Sequence, residues 1–233
     1  MLDNKLVLAN SVFSNKGIFA LLLGSGISRS SGIPTGWEIV LDLIKRIAAL
    51  QGKDCGTYPA SWYQKEFNED PDYSNLLEKL TFSSQERINL LRPYFEPNEE
   101  EREDGLKQPT PAHKAIADLI KHGYVKMVIT TNFDRLLENA LSAVGVVPTV
   151  ISNVDHINNV LPIIHSQATI IKINGDYLDS RFLNLKSELS QYDTKLVQLV
   201  SGIFEDFGLI SCGWSAKWDI ALKEILTSSN KFR

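Results

Sequence analysis

Cysteine is scarce in this sequence: the 233-residue chain has two, Cys55 and Cys212, far apart. A four-thiolate zinc site or a disulfide framework needs at least twice as many at close spacing, so structural zinc is excluded on count and no metal is expected. Long apolar runs are missing too. The longest, Ile18–Leu23, spans six residues, whereas crossing a bilayer takes ~20, so no transmembrane helix is expected. A secretory reading of that run fails, because a long mixed stretch including Asp3 precedes it, and the chain is read as cytoplasmic. Nor is there an excess of positive charge. Lys plus Arg number 24 against 28 Asp plus Glu, giving a net charge of −4, and nothing in that balance offers a footprint for a phosphate backbone. Direct nucleic-acid contact by this segment is not expected. Internal repeats and low-complexity tracts are absent. What remains, 43% hydrophobic and 22% charged residues, is ordinary soluble composition with enough apolar material for a real core. The length suits one large domain or one carrying an insertion.

Four short β-type segments stand out between turn residues: Ile18–Leu23, Val125–Thr130, Thr169–Ile173 and Leu209–Cys212. Each is nearly continuous in apolar character, the pattern of strands covered on both faces in a parallel sheet. Helices with legible ends lie between them. Thr35-Gly36-Trp37-Glu38 has capping-box form, and Val40, Leu43, Ile44 and Ile47 follow at helical spacing. Thr110 and Pro111 open a helix carrying Ile116, Leu119 and Ile120 and closed by Gly123. Phe133 to Leu141, Leu196 to Phe204 and Trp218 to Leu226 mark three more. The alternation predicts an α/β fold, a Rossmann-like open parallel sheet with helices on both faces. Residues 49–108 break the rhythm with aromatics and an acidic stretch from Glu99 to Asp104, and read as a helical insertion. The domain would then be built from residues 1–48 and 109–233. The acidic stretch reads as a solvated surface. The chain ends soon after its last helix, which suggests one domain of a longer protein.

Each β segment runs directly into a polar cluster: Gly24-Ser25-Gly26-Ile27-Ser28, Thr131-Asn132-Phe133-Asp134, Asn174-Gly175-Asp176, and Gly213-Trp214-Ser215 with Asp219 one turn on. In open α/β sheets ligands bind beyond the carboxyl ends of the strands, so all four clusters would line one cleft. Glycines at positions 24 and 26 let backbone N–H groups approach a pyrophosphate, with a helix N-terminus supplying partial positive charge. Arg29 occupies the third glycine position of G-x-G-x-x-G. Each cluster also has a plain structural reading. Asn132 or its neighbours could cap a helix, Asn174-Gly175 could be a simple turn, and Ser215 and Asp219 could cap or face solvent. The coincidence of four such turns at one sheet edge favours a site.

These residues resemble a known family. Gly24-Ser25-Gly26-Ile27-Ser28 followed by Ser31-Gly32-Ile33-Pro34 is similar to the sirtuin signature G-A-G-I-S…S-G-I-P, and Thr131-Asn132-Phe133-Asp134 to its T-Q-N-I-D. Asn174-Gly175 falls where sirtuins carry His-Gly, and Gly213-Trp214-Ser215 where they have a nucleotide loop. The closer resemblance is to sirtuin-like domains of bacterial antiphage defence proteins, whose G-D-Y-L-D-(T/S)-R block reads here as Gly175 through Arg181. Their G-L-I-x-C-G-W-S-x-x-W-D block reads as Gly208 through Asp219. That resemblance implies hydrolysis of NAD to nicotinamide and ADP-ribose by a defence effector that depletes the cofactor. It implies homo-oligomerisation or association with a sensing module such as a short Argonaute system, an ATPase or a repeat domain.

It also implies Gly24, Ser25, Gly26, Ser28, Asp134, Gly213, Trp214 and Ser215 as NAD-binding residues, with Asp134 near the nicotinamide amide. Asn132, Asn174 and Asp219 are the candidates for catalysis. Two departures disfavour lysine deacylation: the zinc module cannot form, and Asn174 stands in place of the catalytic histidine, whose proton transfer an amide cannot perform. Hydrolysis tolerates the loss better. Nicotinamide leaves as a neutral pyridine through an oxocarbenium-like ribosyl cation, so the site's tasks are chiefly electrostatic. If a base is needed, Asp219 or Asp176 must supply it. The alternative is a non-catalytic module that binds NAD or ADP-ribose. His113 and His122 read as structural, His165 as a weak candidate for touching the ligand, and Trp37 and Trp214 as core or base-stacking residues.

Overall fold

The computed structural model describes residues 3–159, 166–178, 192–216 and 219–228. Five strands, β1 (Phe19–Leu23), β2 (Val125–Thr130), β3 (Thr149–Ile151), β4 (Thr169–Lys172) and β5 (Gly208–Cys212), form one sheet in the order β3-β4-β2-β1-β5. Every pairing is parallel. Side chains alternate between the two faces of a strand, and here both faces are apolar because both are covered. Ala20, Leu22, Met127, Ile129 and Ile171 pack with helices Thr194–Asp206 and Ile220–Ser228. Leu21, Leu23, Val128 and Ile170 face helices Pro111–Lys121 and Leu136–Ala143. The fold is the expected Rossmann-like α/β layer arrangement.

A third cluster forms on helix Gly36–Leu50, which Thr35 and Glu38 cap reciprocally. Its buried stripe, including Ile39, Leu43 and Ile44, receives Tyr63, Leu76, Leu77, Leu91 and Phe95 from the helices Pro59–Phe67, Tyr73–Leu80 and Ser84–Phe95. Burial of each such side chain contributes about 1.5–3 kcal/mol. Phe133 and Tyr177, from the loops after β2 and β4, join this cluster. Tyr73 stacks on Phe133 with ring centroids 6.3 Å apart, and Phe95 lies 5.1 Å from Tyr177. The helices between β1 and β2 therefore rest on the same loops that carry the polar clusters. The acidic stretch is a short helix, Glu99–Glu103, capped by Asn98.

Some local expectations change. The glycine loop after β1 does not lead straight into a helix: two 3-10 turns, Ser25–Ile27 and Arg29–Ser31, follow, and the next α-helix starts at Gly36. The helix after β2 begins at Leu136 rather than Phe133, because Asp134 Oδ1 takes the Leu136 N–H in a turn at 3.1 Å. Helix Asn4–Ser14 and strand β3 were not legible in the pattern. Trp37 is 54% exposed and so is not core. No described helix is long and apolar enough to cross a membrane.

Candidate functional site

The loops leaving β1 and β5 meet backbone to backbone. Gly24 N–H donates to Cys212 O and Gly26 N–H to Gly213 O, each at 3.0 Å. A Cβ on Gly24 would sit 2.5 Å from the Trp214 Cα, and one on Gly26 2.8 Å from the Gly213 Cα. Gly213 has φ +68°, and a Cβ there would lie 2.6 Å from the Ile27 nitrogen. Only glycine allows this approach. Gly24 is buried, whereas Ser25 and Gly26 are exposed at the turn.

Across the β1–β2 junction, Ser28 is the hub. Its buried hydroxyl donates to Asp134 Oδ2 at 2.8 Å and accepts from Asn132 Nδ2 at 3.2 Å. The Nε2 of His113 stands 3.4 Å from the same oxygen. The Thr110 N–H points at His113 Nδ1 at 3.2 Å, which assigns that nitrogen as acceptor and turns Nε2–H toward Ser28. Burial pushes the imidazole pKa down, with the Asp134 charge opposing, so the ring is neutral at neutral pH. Asn132 Oδ1 is buried and has no hydrogen-bond partner among the described residues. An orphaned buried acceptor costs about 1–3 kcal/mol, so this one is open to a donor.

The loops after β4 and β5 form the other half. Asn174 donates through Nδ2 to Thr131 O at 3.2 Å and accepts on Oδ1 from the Tyr192 hydroxyl at 3.1 Å. The amide also lies beside the Asp219 carboxylate and favours its charged form. Trp214 Nε1–H donates to Asp219 Oδ2 at 2.7 Å. Burial raises the Asp219 carboxyl above the usual carboxylate range, with these two donors pulling the other way.

The loops therefore form a ring: the Gly26 loop bonds Gly213, Ser28 bonds Asn132, Thr131 bonds Asn174, Asn174 adjoins Asp219, and Asp219 bonds Trp214. Ser215 lies exposed on this rim. Asp176, although next in sequence, faces inward. The fully buried Lys172 ammonium donates to Asp176 Oδ2 at 2.9 Å, Glu138 Oε1 at 3.1 Å, Asp134 O at 2.7 Å and Phe133 O at 3.2 Å. Arg135 pairs with the same Asp176 oxygen at 3.2 Å.

Asp134 holds its partners Ser28 and Leu136 with one oxygen each. His113, read as structural from the sequence, is buried in the Thr110 capping box and also lies against Ser28, a contact that the Thr110-Pro-Ala-His113 spacing did not show. Tyr192 and Lys172 carried no sequence signal. His165, Trp218 and the block Asp179-Ser180-Arg181 lie outside the described residues. Among the described residues no group of three His, Cys, Asp or Glu side chains is placed to hold a metal ion.

Residues 126–233 match a family model described as SIR2-like domain. The match spans β2 to β5 and the loops bearing Asn132, Asp134, Asn174, Gly213 and Asp219; the Gly24–Ser28 loop precedes it. Solved structures similar to this chain include one described under the structural basis for the mechanism and regulation of Sir2 enzymes. It is 16% identical, with 98% of this chain and 83% of that chain covered, at a TM-score of 0.46. A mutant Sir2 homologue in complex with ADP-ribose is 16% identical over 97% of this chain and 81% of its own, at a TM-score of 0.49. A Sir2 homologue–NAD complex is 16% identical over 97% and 80%, at a TM-score of 0.44. No curated protein matches the chain.

Proposed function

We propose that this chain, whose residues 126–233 match a SIR2-like domain model, is an NAD glycohydrolase that cleaves NAD to nicotinamide and ADP-ribose. The observation that carries the reading is the ring itself: four strand-end loops in mutual contact, with a glycine cradle at 24, 26 and 213 that no Cβ could enter. With the Gly24 and Gly26 N–H groups already donated to Cys212 O and Gly213 O, these glycines serve to bring the two loops together, and the dinucleotide would lie along the exposed turn at Ser25 and Gly26. The orphaned Asn132 Oδ1 suits a ribose hydroxyl or a site water as the missing donor. Gly24, Ser25, Gly26, Ser28, Gly213, Trp214 and Ser215 would hold the dinucleotide, and Asp134 would act on it through Ser28. Because nicotinamide departs neutral, the chain's work is to hold the sugar, admit one water and keep bulk solvent out. Asn132 orients; the carboxylate edge stabilises the ribosyl cation.

The wider role follows the sirtuin-like defence resemblance: a cytoplasmic effector that depletes NAD, held in check until it self-assembles or joins a sensing module. Residues 1–48 and 109–233 would make the nucleotide-binding unit and 49–108 its helical insertion. A second reading, a non-catalytic module sensing NAD or ADP-ribose, is favoured by one observation, the asparagine at position 174. Calorimetry with recovery of the ligand separates them. Recovered ADP-ribose and free nicotinamide support the glycohydrolase, and tight binding with intact NAD overturns it in favour of the sensor.

A further inference from the structure

Among the described residues four carboxylates stand at the carboxyl edge of the sheet, and the structure sorts them. Asp134 spends both oxygens on the Ser28 hydroxyl and the Leu136 N–H. Asp176 is buried against Lys172 and Arg135, and its second oxygen takes the Leu178 N–H at 3.0 Å. Glu138 answers the same Lys172. Each of these is tied to a cation, a turn or both. Asp219 differs: among the described residues its hydrogen-bond partner is an indole N–H and its neighbour the Asn174 amide, both neutral, and it is only partly buried.

Resting on the glycohydrolase reading, we propose that Asp219 is the general base of this site and that Asn174 and Tyr192 are its positioning residues. Asn174 stands where the resembling family has its histidine, but its amide is already committed. Nδ2 serves Thr131 O, and Oδ1 is held by the Tyr192 hydroxyl. With that amide fastened at both ends beside Asp219, Asn174 supports the carboxylate rather than acting on the sugar itself. The site thereby moves proton acceptance from an imidazole to a carboxylate one side chain away. In the step, the C–N glycosidic bond breaks and its electron pair leaves with neutral nicotinamide. A water oxygen bonds to the ribosyl carbon, and one proton of that water passes to Asp219 and then to solvent.

The surroundings suit the task. A general base works best with a pKa near the operating pH, and burial moves the Asp219 carboxyl upward from its ordinary value. The titratable group facing it among the described residues is Tyr192, whose own burial and proximity to Asp219 push the phenol above its usual range and keep it a neutral donor. Trp214 and Asn174 each stabilise the charged carboxylate, so removing either donor raises its pKa further.

The test is the pH–rate profile of nicotinamide release by the full chain and by Asp219→Asn, Asn174→Ala and Tyr192→Phe, with thermal melts to confirm folding. The expected wild-type profile has an acid limb above the ordinary aspartate range. Asp219→Asn lowers turnover about 100-fold, as loss of a general base does, and removes that limb. Asn174→Ala moves the limb to higher pH while KM changes little, and Tyr192→Phe moves it the same way by less. An active wild type with Asp219→Asn within a few-fold of it and the same acid limb overturns the assignment. An acid limb unmoved in Asn174→Ala does so too, which keeps the test decisive if Asp219→Asn fails to fold. A wild type that releases no nicotinamide at any pH overturns the glycohydrolase reading, and the base with it.

Discussion

Ser28 and Asp134, 106 positions apart in the chain, meet at 2.8 Å in the interior, the serine hydroxyl donating to Oδ2. The same hydroxyl receives Asn132 Nδ2 and faces His113 Nε2. Replacing it with Ser28→Ala leaves three buried polar groups short of a partner. An unpaired buried group costs about 1–3 kcal/mol, so the urea midpoint falls measurably. NAD affinity by calorimetry falls as well, because the carboxylate and amide are no longer fixed. An unchanged midpoint would show that solvent already serves these groups.

Gly213 touches the loop after β1 with no room to spare. In Gly213→Ala the new Cβ would stand 2.6 Å from Ile27 N, at a φ of +68° that alanine disfavours. The loops after β1 and β5 must then part, and NAD or ADP-ribose binding is lost by calorimetry while the helical circular dichroism remains. Gly145→Ala, also at positive φ but with open space around it, serves as the control for backbone strain alone and retains binding.

Lys172 is a buried cation whose four acceptors tie the loop after β2 to the loop after β4. Lys172→Met strands Glu138 and leaves Asp176 to Arg135 alone, and breaking a buried pair in this way costs about 3–5 kcal/mol. The double variant Lys172→Met with Asp176→Leu removes one charge of each sign and recovers part of that loss in chemical denaturation. No recovery would mean that the backbone carbonyls of Phe133 and Asp134, not Asp176, are the partners that matter.

Stability depends on pH through His113. Its folded pKa lies below the ordinary value, chiefly through burial, while the unfolded ring titrates near ~6.5. Between the two values the unfolded chain binds more protons, so stability is full above about pH 6.5 and is lost as pH falls toward the folded pKa. Urea midpoints at pH 7.5 and 5.5 should separate for the wild type and draw together in His113→Gln. An equal separation in both would place the pH dependence elsewhere.

Much of the fold was legible because strands covered on both faces must be apolar throughout. β1, β2 and β4 announced themselves in that way, and the caps at Thr35 and Thr110 fixed the helices between. β3 escaped because three residues at the sheet edge make no pattern. The polar clusters were legible as loops, and their placement at one edge follows from parallel topology. Their internal chemistry was not. Whether Asn132 capped a helix depended on Asp134 taking that task. The partner of His113 lies 85 positions earlier, and that of Asn174 lies 18 positions later. A charge in a strand, such as Lys172, gives no hint that its acceptors come from a neighbouring loop. Local sequence encodes elements and caps, whereas hydrogen bonds between strand ends exist only once the sheet has ordered them.

The account stands most directly on nicotinamide release from NAD by the purified chain, wild type against Asn132→Ala, in the assembled state in which it is active. The wild type should release nicotinamide and ADP-ribose in equal amounts, and Asn132→Ala should fall by about 100-fold or more, as removal of one preorganised electrostatic group does, with its melting curve retained. Intact NAD recovered from the wild type, or equal release by both proteins, would contradict a dinucleotide-cleaving site at the carboxyl edge of this sheet.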